Sequence, residues 1–328
     1  MFSFKFANEF RMNYMKYTAF KLFILLPWIV FGQAVDPIYI TLNGAITNPD
    51  QEVSGLAWHS DNLILLPQYP TDKIYSISKA QIIDFLDSTR TTILPNEIKW
   101  NSSGVDKRIC GFEGFESIVF NEDTVYVTVE AERRKKNSGF IARGIINNNE
   151  IKITRKSLKK IKTPVTLRNM TYETILINNN SVITIYEVNS AKVNENPIYY
   201  KFDKDLKTHN TEPFPFTEYR ITDATEIDEN GKFWVTNYFW PGDFKLLKPE
   251  LNYNIKSKKD IKPVERLLEF QFVDEKIVRT KTLPINIKIS EFGDSCNWEG
   301  IVRLDDKGFL IVTDKFPGTI LAFIPFSK

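Results

Sequence analysis

The 328-residue sequence has only two cysteines, Cys110 and Cys296, and two histidines, His59 and His209. Two thiols allow one disulfide and rule out a disulfide framework. Neither histidine stands in a spacing such as H-x-x-x-H, which argues against zinc hydrolysis and Ser-His-Asp chemistry. A concentrated basic face, the footprint of a nucleic-acid binder, is also missing. The one short basic run, Arg133 to Lys136, leads into Asn137-Ser138-Gly139 and has the composition of a solvated loop tip. No Ser/Gly linker or low-complexity stretch divides the chain.

The N-terminus carries Lys16 and Lys21, an apolar run from Leu22 to Phe31, and the small-residue stretch Gly32-Gln33-Ala34. This is the layout of a secretory signal peptide cleaved after Ala34. Ten apolar residues are too few to span a hydrocarbon core, which takes about 20. Residues 1–34 are therefore expected to be removed, leaving 35–328 as a single domain outside the cytoplasm with no membrane span. Taking Lys5, Arg11, Lys16, Lys21 and Glu9 from 43 basic and 41 acidic residues leaves 39 and 40, a nearly neutral chain.

From residue 36 onward, short runs of Val, Ile, Phe, Tyr and Thr alternate with Asn, Asp, Gly and Pro clusters, the pattern of an all-β sandwich, barrel or propeller. Lys79 to Asp87, KAQIIDFLD, is the clearest helical exception. A search for internal repeats decides among the architectures. Five segments share one layout, beginning at Ser54, Glu116, Glu173, Asp223 and Glu299. In each, a small or acidic residue precedes an apolar strand, an Asn/Asp/Gly turn and a second apolar strand with a polar end, which is a β-hairpin.

Further strand-like runs follow at Lys73 to Ser78, Gly139 to Ile146, Pro197 to Phe202, Arg266 to Phe272 and Thr319 to Ile324. Three or four strands per unit make a propeller blade. The last unit ends after three strands, so Pro37 to Leu42 is expected to supply the fourth and close the ring. Five blades are counted, with six as the alternative.

If the first strand of each unit lines the channel, its starting residue and the returning end of the second strand meet at one mouth. The starting residues are Ser54, Glu116, Glu173, Asp223 and Glu299, and the returning ones are Gln68, Glu130, Glu187, Asn237 and Asp314. Crowded carboxylates raise one another's pKa unless a cation compensates. Calcium, which takes six to eight oxygens in flexible geometry, suits such a ring better than magnesium or zinc. The competing reading is that polar residues begin and end strands because loops are solvated. Arg108, Arg168 and Arg220 lie just before inner strands, and Lys315 follows Asp314, so each could grip an anion or simply pair with a ring carboxylate. Phe112, Phe115, Tyr238, Phe239, Trp240 and Trp298 fall near the same mouth, where they either stack on a ligand or pack unit against unit.

The succession Ser54, Glu116, Glu173, Asp223, Glu299 resembles the central calcium site of the calcium-activated nucleotidases, the five-bladed apyrases, with Asp223 standing where those enzymes have Ser. The strand wording FWVTN, NWEGIVRL and IVTDK is similar to that of phytase-like secreted bacterial propellers. The resemblance implies a calcium-dependent phosphoester hydrolase acting on a small, phosphorylated molecule. Its ring residues would hold the metal, Glu130, Glu187 or Asp314 would serve as general base, and Arg108, Arg168, Arg220 and Lys315 would bind the phosphate. The alternatives are a lactonase-type hydrolase and a non-catalytic binding propeller with a structural calcium.

Overall fold

Each hairpin read from the repeats is present as an antiparallel pair, and each is extended outward by further strands. The computed structural model describes residues 34–247, 261–288, 296–314 and 318–326. The expected signal peptide, apart from Ala34, and Lys315 lie outside the described residues. In chain order the strands are β1 (Ile38–Ile40), then β2 (Val53–His59), β3 (Asn62–Pro67), β4 (Lys73–Ser78) and β5 (Asn96–Asn101) of unit one. Unit two holds β6 (Phe112–Asn121), β7 (Thr124–Arg133), β8 (Lys136–Asn147) and β9 (Glu150–Ile153), with β10 (Lys159–Ile161) beside β8. Unit three holds β11 (Thr174–Asn178), β12 (Ser181–Ile185), β13 (Ile198–Asp203) and β14 (His209–Pro213). Unit four holds β15 (Arg220–Ala224), β16 (Lys232–Phe239), β17 (Val264–Val273) and β18 (Lys276–Arg279), with β19 (Ile285–Asn286) beside β17. Unit five is built from β20 (Trp298–Leu304), β21 (Gly308–Thr313), β22 (Leu321–Pro325) and the N-terminal β1.

The closure expected at the chain ends is present: β1 pairs antiparallel with β22, with Ile38 opposite Phe323 and Ile40 opposite Leu321. Hydrogen bonds join each unit to the next around a full circle. Ser54 Oγ donates to Phe115 O (2.6 Å), Tyr126 Oη to Lys204 O (2.8 Å) and Ile221 N to Glu187 O (2.9 Å). Thr222 Oγ1 donates to Trp298 O (2.6 Å) and Trp58 Nε1 to Arg303 O (2.7 Å). The described residues thus hold five units of four or five strands in a closed ring, and the fold is a β-propeller.

The apolar patterning follows from this arrangement. Among the described residues there are five buried clusters, one between each pair of neighbouring units. Because both faces of an inner strand are covered, its sequence is a continuous apolar run instead of an alternation. In β3, Leu63 and Leu65 join the cluster shared with unit five, whereas Ile64 and Leu66 join the one shared with unit two. The helix expected at Lys79 to Asp87 is α1 (Lys79–Leu86), started by a capping box in which Ser78 and Gln81 exchange side-chain and backbone hydrogen bonds.

Two features fall outside the repeat. Strands β5 and β9 pair in parallel, Trp100 opposite Ile151, so the outer edges of units one and two are joined in one sheet. A β-bulge also interrupts the inner hairpin in four units: between Val53 and Gly55, Phe115 and Ser117, Ile221 and Ala224, and Trp298 and Gly300. Bulges re-aim side chains. Ser54, Glu116 and Glu299 each sit within one.

Candidate metal centre in the channel

Ser54, Glu116 and Glu299 start their inner strands inside a bulge, whereas Glu173 precedes β11 with the hairpin in regular register. Equivalent positions follow from the contacts between units. Ser54 and Thr222 both donate to the carbonyl of the residue that precedes the next unit's Glu, Glu116 in one case and Glu299 in the other. The ring position of unit four therefore belongs to Thr222. Asp223, expected there as a metal ligand, is displaced because two residues, Thr222 and Asp223, fall inside the bulge of β15. Its carboxylate instead accepts from Ser117 Oγ of unit two and Ile301 N of unit five, both at 3.0 Å. Asp223 thus ties three units together. A 90 Å³ cavity is lined mainly by apolar residues of units one to four, including Leu56, Ile118, Ile175 and Ala224.

The carboxylates that do converge come as three pairs, Glu116 with Glu130, Glu173 with Glu187, and Glu299 with Asp314. Glu116, Glu130, Glu173 and Glu187 are buried, and oxygens of Glu116, Glu130 and Glu173 lie within 4.8 Å of one another. Burial pushes the Glu116, Glu173 and Glu299 carboxyls well above the ordinary range, and neighbouring carboxylates push the same way: Glu130 on Glu116, Glu187 on Glu173, Asp314 on Glu299. Glu130 is raised to about 8 by burial and the Glu187 charge. Desolvated like charges either hold protons or require a cation.

Several buried oxygens here lack a hydrogen-bond partner: Glu173 Oε2, Glu187 Oε2 and Asn137 Oδ1. Orphaned buried acceptors are rare and call for an explanation. Asn137 donates its amide N–H to Glu130 Oε1 and is itself buried. The tip expected at Arg133 to Lys136 narrows to Arg134-Lys135, with φ of 53° and 64°, and Asn137 just beyond it pairs back onto Glu132 inside the sheet. Gln68 Nε2 donates to Glu116 Oε1 at 3.2 Å.

Of the described side chains expected to bind an anion, Arg220 is the one that reaches the centre, and it is occupied. It donates from Nε to Glu187 Oε1, and its terminal nitrogens lie 3.9 Å from Glu173 Oε1 and 3.8 Å from Asp243 Oδ2. Arg108 is exposed at the end of α2 (Val105–Arg108), and Arg168 is exposed and 3.4 Å from Glu132. Among the proposed proton-transfer groups, Glu130 and Glu187 are buried, whereas Asp314 is partly accessible beyond the end of β21. Phe115, Tyr238, Phe239 and Trp298 are core residues, and Trp240 is exposed. No disulfide joins exposed Cys110 to buried Cys296. No helix among the described residues is long and apolar enough to cross a membrane.

Fold and site together define a β-propeller with a carboxylate-lined channel end. No protein-family model matches the sequence, and no curated protein does. Solved structures similar in fold include a glycosyl hydrolase from Bacteroides ovatus (TM-score 0.49, 8% identity, 89% of this chain and 95% of that one). An exo-1,5-α-L-arabinanase from a bovine ruminal metagenomic library (0.45, 11%, 85% and 94%) and a Cellvibrio cellulosa α-L-arabinanase (0.44, 7%, 82% and 90%) are also similar.

Proposed function

We propose that the protein is a calcium-binding β-propeller hydrolase, exported from the cytoplasm, whose metal is held at the channel end by Glu116, Glu130 and Glu173. The observation that carries this reading is the close approach of three buried carboxylates, one of which, Glu173, has an oxygen with no hydrogen-bond partner. The donors are all oxygen, which matches a hard cation. Glu299 and Asp314 complete the acidic wall on the unit-five side.

Calcium there would polarise a substrate oxygen at the mouth. Asp314, a partly accessible carboxylate, would take a proton from an attacking water, and Glu130 would give up its own proton when the cation is bound. A phosphoester is the substrate class drawn from the motif resemblance. Set against it, the one arginine at the centre is taken up by carboxylates, so an uncharged ester such as a lactone meets less repulsion at this mouth.

The test is a survey of phosphate esters, lactones and glycosides with calcium or with a chelator, beside metal analysis of the purified protein. Calcium-dependent turnover of any one class establishes the hydrolase and names the class. Stabilisation by calcium without turnover reduces the protein to a binding propeller. Absence of bound metal, with the same melting temperature in chelator and in millimolar calcium, removes the metal centre altogether.

A further inference from the structure

At the repeated positions the carboxylates come from units two, three and five, since unit one contributes Ser54 and Gln68 there and unit four contributes Thr222 and Asn237, with Asp243 of unit four reaching in from a loop. That charge exceeds what one divalent cation offsets. Arg220, the first residue of β15, reaches into the gap that unit four leaves. Its side chain is 11% exposed, and it faces Glu187, Glu173 and Asp243. Glu173 stands at the boundary: Oε1 is 3.9 Å from the guanidinium, and Oε2 has no hydrogen-bond partner.

We propose that Arg220 is a built-in counter-ion that occupies a second cation position and so limits this channel centre to one divalent metal. The inference rests on the metal reading above and assigns the stoichiometry of that site. Its basis is the division of the cluster into two parts. Around Arg220 lie Glu187, Asp243 and one oxygen of Glu173, an oxygen-only set that two metals could otherwise share with the first site across the Glu173 carboxylate. Two-metal sites hold their ions about 3.5–4 Å apart, and Glu173 belongs to both parts of the cluster, through the carboxylate triad and through its 3.9 Å approach to Arg220. Two of the oxygens beside the guanidinium, Glu187 Oε2 and Asp243 Oδ2, are buried without a hydrogen-bond partner. Removing the guanidinium would leave three desolvated carboxylates facing a space vacated by positive charge, which is a vacant hard-cation site.

Calcium titration by calorimetry on the full chain tests this, with melting temperature as a second readout. The wild type is expected to take up one calcium and Arg220→Met two, with calcium raising the melting temperature of Arg220→Met more than that of the wild type. A folded Arg220→Met that binds one ion as the wild type does overturns the proposal, as does a wild type that binds two. Where Arg220→Met folds only in calcium, that rescue supports the proposal. Where it folds in neither condition, the double variant Arg220→Met/Glu187→Gln removes charge and counter-charge together. It is expected to fold without metal and bind one ion, and its failure to fold overturns the assignment. A wild type that binds no calcium at all instead defeats the metal reading on which the inference rests.

Discussion

Asp223 is the residue on which three units depend. Replacing it with Ala leaves Ile301 N–H and the Ser117 hydroxyl buried without partners, and each such group costs about 1–3 kcal/mol. Chemical denaturation of Asp223→Ala should therefore show a loss of about 3 kcal/mol. Burial raises the Asp223 carboxyl well above its ordinary range, so a neutral isostere suits the site and Asp223→Asn should stay within about 1 kcal/mol of the wild type. A charge-dependent role would reverse that order. Glu173→Gln should weaken calcium binding about tenfold or more, equivalent to about 1.4 kcal/mol, as read by calorimetry. The acidic pairs were legible in the sequence because a residue's place in a hairpin fixes the end of the channel it reaches. Thr222 was not, since a bulge shifts the count by one. Asn137 and Asp243 were hidden for another reason: they approach from a hairpin end and a loop, outside the repeated position.

Strands β1 and β22 show what each element contributes to closure. A chain lacking residues up to Leu42 should expose the β22 edge, and size-exclusion chromatography should show association or a broadened unfolding transition, against a single sharp one for the intact domain. Gly114 has φ +141°, and a Cβ there would meet the Gln68 side chain at 2.2 Å. Gly114→Ala should cost about 1–3 kcal/mol by denaturation and displace the amide that donates to Glu116. The hairpins themselves were readable, because two apolar runs flanking an Asn/Asp-rich turn permit few other structures. The outer strands were less so. β14, HNTEP, and β5, NEIKWN, carry little apolar signal, and their place is set by the neighbours they pair with.

At the scale of the whole molecule, the raised carboxyls set a pH dependence. A carboxyl whose folded pKa exceeds its unfolded value stabilises the fold below the unfolded pKa, and that contribution is lost as pH rises through the folded one. For Glu130 the window runs from 4.5 to about 8. Metal-free protein should therefore melt at progressively lower temperature between these values. Calcium should counter the decline, and its binding should release protons, measured as a dependence of the binding enthalpy on buffer. A melting temperature that rises across the window in chelator would contradict this. One joint of the ring differs from the rest. Where β5 and β9 pair, units one and two share peripheral hydrogen bonds in addition to their packed core. Under tension applied across the ring, that joint shears against backbone bonds, whereas its counterparts resist through side-chain packing and scattered contacts. The first two units should then part last. Amides of β5 and β9 should exchange with solvent more slowly than those of β14 and β18, the corresponding outer strands that have no such partner among the described residues.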